Sequence, residues 1–414
     1  MIERKVNTNQ NQRSVIINNF ETFFRSEGYT MHESQPLIPN GDNTVLLTNA
    51  TITPYKKNLT GESAPLDTDV AINQRCVRIG TEEEIGSDPD ILCYFEMLGL
   101  ISQNRSLDGL IVNVLNYLTK YYFDLDQLKF TVHKEDTESY RALTINGIKK
   151  DDIRMINGNT SIWSHWNFGK PGVAGYGITL LVDSGSNKPK FDECDLEFDQ
   201  DQYKQLLNII RIDEYVDEDG NKSKLKFPGI DMGCGLERLQ SIIEGKDSFN
   251  CGSLKAIVEI ISEKLGIKYG QNGELDKKIR TVVDQSRSAL ILISEGILPG
   301  NKSINYLTKK TIRRATTEVY LLKRDANFLE DLARYVVLLP EIGTKSNDDV
   351  NNLLRIFNGE VEKAIQLIEK SERLIEKYSP NWHSIDDQIG FIERMWTTFG
   401  IPKEITISIV NKKL

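Results

Sequence analysis

The chain has 414 residues, and its 60 Asp and Glu against 51 Lys and Arg leave a net charge of -9. At ~150 residues per domain this is room for two or three domains; the charge excludes a generally basic nucleic-acid coat but leaves room for a local basic face. No apolar run reaches the ~18 residues of a membrane span, the MIERKVNTNQNQ start lacks a signal-peptide core, and five scattered cysteines (Cys76, Cys93, Cys194, Cys234, Cys251) form no CxxC pair, so the expected setting is a reduced cytoplasm without membrane contact.

Taken in order, Ile16, Phe20, Phe23 and Phe24 recur at helical spacing and stop at Gly28. Residues 44–50 (TVLLTNA), 73–79 (NQRCVRI) and 92–98 (LCYFEML) read as strands, the last two joined into a hairpin by the acidic TEEEIGSDPD. Leu107, Leu110, Ile111, Val114 and Leu118 mark an amphipathic helix, and 128–133 a strand. Residues 177–183 (GITLLVD) and 206–212 (LLNIIRI) are good strands, whereas the polar EYVDEDGNKSKLK reads as a loop. After about Glu244 the pattern turns helical. Leu254, Ile257, Val258 and Ile261 share a face between Ser253 as N-cap and Gly266 as stop. Ile279, Val283, Ser286, Leu290 and Ile293 form the next helix, 309–324 a basic one, and Val350 to Ile368 a long one. The expectation is an α/β domain followed by a helical domain.

Two stretches carry chemistry. In Asp231-Met232-Gly233-Cys234-Gly235-Leu236-Glu237-Arg238, glycines permit close backbone approach to a ligand, and an arginine opens a helix, a rigid mount for a phosphate fork. A strand-to-helix turn with a surface arginine would read the same. In Gln74-Arg75-Cys76-Val77-Arg78, residues 76 and 78 share a strand face, and Tyr94-Phe95-Glu96 lies across the hairpin. Arginine beside an aromatic ring suits a nucleotide, though an ordinary cross-strand pair would look alike. The four histidines (His32, His133, His165, His383) share no metal-ligand spacing, so no protein zinc motif is expected.

Together these stretches resemble motifs 2 and 3 of class II aminoacyl-tRNA synthetases, specifically the alanyl-tRNA synthetase family: RCVR and YFEMLG, then DMGCGLERL. TVLLTNATITPYKKNLTG resembles its motif 1 region, and Trp166 followed by GKPGVAGYGITLLVD resembles its amino-acid pocket strand. IRTVVDQSRSALILISEGILPGNKSINYLTKKTIRRA and MWTTFGIP resemble its helical tRNA-recognition domain. The likeness runs in order from about residue 10 to about 405. It implies an α+β fold, an antiparallel sheet flanked by helices over 1–245, then an all-helical recognition domain over 246–414. It implies ATP-dependent activation of alanine and transfer to tRNA, with Mg²⁺ on the phosphates. Arg78 would hold the α-phosphate, Arg238 the γ-phosphate, and Phe95 or Tyr94 the adenine, with Gly235 close by. Asp231 would pair with the substrate ammonium beside Gly233, Trp166 would wall the side-chain pocket, and Asn208 and Ile210 would come from the next strand. Ile210 stands where the family has valine, so the pocket is expected to hold alanine, with glycine as competitor; one methylene discriminates by only ~1–3 kcal/mol. Class II cores often dimerise through motif 1, so a homodimer is among the partners implied.

Departures from the family shape a rival expectation. The motif 2 loop is shortened, with Glu82, Glu83 and Glu84 soon after Gly80, so an expected lysine is missing. The family glutamate in the glycine-rich strand becomes Thr179, and Arg211, Asp213 and Glu214 replace apolar or amide residues. Ser303 and Thr397 align with the asparagine and aspartate that read the acceptor-stem wobble pair, while Arg314 is kept. Lys309, Lys310, Arg313 and Arg314 form a basic helix that would track phosphates, or a merely solvated face. The family's editing motif HxxxH…CxxxH is absent, so no editing is expected. The alternative acceptor is a carrier protein or a biosynthetic small molecule; a further alternative is a non-catalytic binding protein.

Overall fold

The computed structural model describes residues 2–40, 42, 44–78, 84–157, 165–169, 171–185, 190–194, 202–323, 328–343, 346–378, 385–399 and 401–413. The chain forms two compact units. One comprises Asn7–Arg78 and Phe95–Gly252, the other Met1–Val6, Ile79–Tyr94 and Ser253–Leu414. The segment between the two motif 2 strands groups with the helices.

Among the described residues, the first unit is a nine-stranded sheet with helices. Its strands are β1 (Thr30–His32), β2 (Val70–Val77), β3 (Tyr94–Ser102), β4 (Leu128–His133), β5 (Ile153–Ile156), β6 (His165–Asn167), β7 (Gly172–Asp183), β8 (Tyr203–Val216) and β9 (Lys222–Gly235). They lie in the order β1-β2-β3-β9-β8-β7-β4-β5, with β6 beside β7. The centre is antiparallel: β3 with β9, β9 with β8, β8 with β7, and β7 with β4. Its helices are α1 (Ile2–Ser26), the short α2 (Lys56–Thr60), α3 (Leu107–Tyr121), α4 (Thr137–Ile145) and α5 (Leu236–Glu244).

Period-two alternation divides the sheet into two faces. Leu98 and Leu100, Ile178 and Leu180, Leu207 and Ile209, and Met232 and Cys234 join the core built with α1, α3, α4 and α5. Phe20, Phe24 and Tyr117 stack within it, with ring centroids 4.8 to 5.8 Å apart. The alternate residues Met97 and Ile101, and Ile210 and Ile212, face the other way and form a second cluster with Ile52, Cys76 and Trp166.

Two expectations are corrected here. Residues 44–50 form no strand: Leu46 is 57 % exposed, and the segment is tied down by Thr48, whose N–H donates to Leu37 O at 2.8 Å and whose carbonyl accepts Val77 N–H at 2.9 Å. The polar 214–226 stretch is a hairpin, not a loop, turning at 217–221 where Asp217 Oδ1 accepts Asn221 N–H at 2.8 Å. Lys222, Ser223, Lys224 and Lys226 are all exposed, so β9 starts with no apolar face to announce it.

The second unit contains α6 (Gly252–Leu265), α7 (Gly273–Ser294), α8 (Ser303–Lys323), α9 (Phe328–Val336), α10 (Asn347–Tyr378), α11 (Ile385–Phe399) and α12 (Lys403–Lys413). Residues 284–288 of α7 (DQSRS) are polar yet buried. Buried polar groups need partners, and segment 84–94 supplies several. Cys93 N–H donates to Asp284 Oδ1 at 3.0 Å, Tyr94 N–H to Ser288 Oγ at 3.1 Å, and Arg287 Nη1 to Tyr94 O at 3.2 Å. Arg280 Nε reaches Gly86 O at 2.6 Å. No helix among the described residues is long and apolar enough to cross a membrane.

Candidate active site

Arg78 follows the last residue of β2, and Phe95 stands near the start of β3. Arg78 Nε donates to Asn49 O at 3.1 Å, and its guanidinium carbon lies 5.0 Å from the Phe95 ring centroid. The side chain is open to solvent at its surface but enclosed by protein on its other sides. That partial desolvation pushes its pKa down; the charge of Arg238 adds to the effect and that of Asp231 opposes it. Arg78 therefore senses the charges of both Arg238 and Asp231.

Asp231 sits mid-sheet, opposite Ile101 of β3 and Ile210 of β8. It is 3 % exposed, and Thr51 Oγ1 donates to its Oδ1 at 2.7 Å. Burial pushes its carboxyl up to about 7, with the Thr51 hydrogen bond and the Arg78 charge pulling the other way. A buried carboxylate so weakly compensated favours a cation brought to it. Thr51 reaches it only because position 99 is glycine: a Cβ there would stand 2.1 Å from Thr51 Cγ2. Likewise a Cβ on Gly233 would meet Met97 Sδ at 2.9 Å.

Trp166 lies on β6, paired with Gly175 of β7, and packs in the same cluster as Met97, Ile210 and the half-buried Phe95. The glycines of β7 are forced by backbone proximity. A Cβ would come within 1.8 Å of Arg211 O at position 175 and 2.4 Å of Ile209 O at position 177. Asn208 Oδ1 accepts from Thr179 Oγ1 at 3.0 Å and from Gln205 Nε2 at 3.2 Å, which fixes its amide. Thr179 is thus an orienting partner of Asn208.

Arg238 occupies the first turn of α5, which Gly235 caps. The helix start is anchored by Glu237, whose Oε2 accepts Glu96 N–H at 3.0 Å. Glu96 is in turn gripped by Arg13, with Nε and Nη2 contacts of 2.7 and 2.6 Å.

Of the two aromatic candidates, Phe95 is the one that lies beside Arg78. Tyr94 is fully buried, with the Arg287 guanidinium 4.6 Å from its ring centroid. Sequence reasoning did not single out Thr51, Asn49 or Gly99 as site residues, although the first two fall within the quoted TNAT stretch. Among the described residues no group of three His, Cys, Asp or Glu could hold a metal ion.

The RNA-facing candidates lie in the helical unit, and the basic helix is not uniformly solvated. Lys309 Nζ and Arg313 Nε each stand 3.7 Å from Oε1 of the buried Glu360 of α10. Arg314 Nη2 donates to Ile85 O at 3.4 Å, and its desolvation lowers its pKa. Lys310 is half-buried. Ser303, at the start of α8, is exposed and has φ 48°, the positive φ of a non-glycine residue. Thr397 is exposed on α11, its hydroxyl donating to Glu393 O at 2.8 Å.

Comparison with known proteins fits this geometry. The chain is 26% identical over 410 residues to an alanine–tRNA ligase of Acetivibrio thermocellus, 27% over 406 residues to that of Desulforamulus reducens, and 30% over 417 residues to that of Petrotoga mobilis. These alignments cover 95%, 94% and 95% of this chain but 45%, 45% and 46% of the relatives, so the chain spans about half their length. Residues 15–413 match the family described as tRNA synthetases, class II (A), and the chain belongs to that family.

Proposed function

We propose that this chain activates alanine with ATP to alanyl-adenylate and passes the alanyl group to a tRNA. The observation that carries the proposal is the grouping of Arg78, Phe95, Asp231 and Trp166 on one face of an antiparallel sheet, with Arg238 at the adjoining helix start. Relatives named alanine–tRNA ligases supply the substrate identity and favour tRNA over a carrier or small-molecule acceptor.

In this reading, adenine stacks on Phe95 and the triphosphate lies between Arg78 and Arg238. Asp231 takes the ammonium, and Trp166 and Ile210 leave space for a methyl group. The alanine carboxylate oxygen attacks the α-phosphorus in line, the bond to the bridging oxygen breaks, and pyrophosphate leaves. Such a step needs positioning and charge neutralisation rather than a protein base. Arg78 neutralises the charge that builds on the α-phosphate, and Arg238 holds the leaving end. Mg²⁺ bound to the phosphates would add charge neutralisation there. In the second step a terminal tRNA hydroxyl attacks the mixed anhydride and AMP departs. Cytoplasm is the proposed compartment, and a homodimer through the motif 1 region is the proposed assembly.

The test is alanine-dependent ATP–pyrophosphate exchange followed by charging of total tRNA. Exchange with alanine, more weakly with glycine, and label on tRNA are expected. No exchange with any small amino acid refutes the proposal; exchange without charging moves it to another acceptor.

A further inference from the structure

Among the described residues β6 is three residues long and pairs with β7 alone. A ladder that short is marginal by itself, yet it carries the wall tryptophan. Side chains on the opposite face supply the missing hold. His165 Nε2 lies 3.1 Å from Glu214 Oε2 on β8, so the contact spans the intervening β7. Lys222 of β9 closes the group, its Nζ 2.9 Å from Glu214 Oε2 and 3.3 Å from His165 Nε2. Tyr176 of β7 packs edge-on against the His165 ring, centroids 4.7 Å apart, and lies tilted at 33° over His133 of β4 at 5.1 Å. Its hydroxyl donates to Glu135 Oε2 at 2.9 Å. Glycine at 175 leaves no side chain on β7 beside Trp166.

We infer that His165, Glu214 and Lys222 form a latch that seats β6, and that His165 and Glu214 are positioning residues for amino-acid selection through Trp166. The inference rests on the site reading above. It gives a physical role to Glu214, which stands where the family carries an apolar or amide residue, because its carboxylate is long enough to reach over β7. Glu214 is well suited to that role, since Lys222 and His165 hold its carboxyl below the usual range despite partial burial.

The experiment compares His165→Ala and Glu214→Ala with Glu214→Gln, which keeps an acceptor for the imidazole. Pyrophosphate exchange should show KM for alanine raised about tenfold in both alanine variants, with kcat and KM for ATP within about twofold, and Glu214→Gln within about threefold of the parent. Acrylamide quenching of Trp166 emission, taken as the difference from a Trp166→Phe background, should rise in the alanine variants. The latch is overturned if KM for alanine and quenching stay at parental values, or if KM for ATP rises in step with that for alanine. If the parent chain shows no exchange at all, the site reading fails, while the quenching still decides the latch.

Discussion

Asp231 is the residue on which charge and burial conflict most sharply. Folded, it keeps its proton up to about pH 7; unfolded, only to about 3.8. Between those values the folded chain binds more protons, so the contribution of this group to stability falls as pH rises through the window. Asp231→Asn, which still accepts from Thr51, is therefore expected to stabilise the unit by up to ~4 kcal/mol at pH 8 and to change little below pH ~4, as read by denaturant melts. Alanine binding should move the other way: KM for alanine rises about tenfold per unit as pH falls below ~7, a dependence absent from the Asn variant. Gly99→Ala probes the same carboxylate from behind. Its Cβ would collide with Thr51, so alanine affinity should drop along with a loss of about 1–3 kcal/mol in stability, and adding Thr51→Ser, which removes the methyl at 2.1 Å but keeps the Cβ at 2.6 Å, should recover only part of that stability. As candidates, Arg78, Arg238 and Asp231 were legible from the sequence by motif and spacing. Thr51 was not, because a lone threonine carries no signal until the fold brings it 2.7 Å from a carboxylate 180 positions away.

Among the elements, the described residues 84–93 between β2 and β3 are held in good part through their backbone. Arg280 takes Gly86 O, Arg314 and Thr281 take Ile85 O, and Asp284 and Ser288 take the N–H groups of Cys93 and Tyr94. Gly86, at φ +81°, has no room for a Cβ beside Thr281. Because the contacts go to main-chain atoms, they constrain the sequence of the segment very little. Arg280→Ala should raise amide hydrogen exchange across 84–91 by about tenfold while leaving α10 protected; Arg280→Lys, lacking the fork, should fall between. The amphipathic helices and the buried strands β4, β7 and β8 showed clear periodicity in the sequence. β9 did not, because its first half is a solvent-exposed ribbon of lysines. The 44–50 run misled for the opposite reason: it is apolar but crosses the sheet edge as an irregular strap, with Leu47 buried and Leu46 outside.

For the whole molecule, the net charge of -9 coexists with a proposed RNA substrate. Two cations of the basic helix are engaged with Glu360, so phosphate contact falls to fewer groups than the sequence suggests. Charging is accordingly expected to show a shallow salt dependence, a log–log slope nearer -2 than -4 between 50 and 200 mM salt, whereas alanine activation should hardly respond. Order along the chain carried the family likeness; ion pairing between α8 and α10 was invisible because it joins residues about 50 positions apart.

The proposed chemistry stands or falls with Arg78 and Asp231 gripping the two halves of one aminoacyl-adenylate. Calorimetric titration with alanyl-sulfamoyl-adenosine, the unhydrolysable mimic, reads that grip without any turnover. Binding should be 1:1, weakened about a hundredfold or more by either Arg78→Ala or Asp231→Ala and within about tenfold of the parent in Arg238→Ala, because the mimic lacks the γ-phosphate. Equal affinity in the parent, Arg78→Ala and Asp231→Ala chains would contradict it.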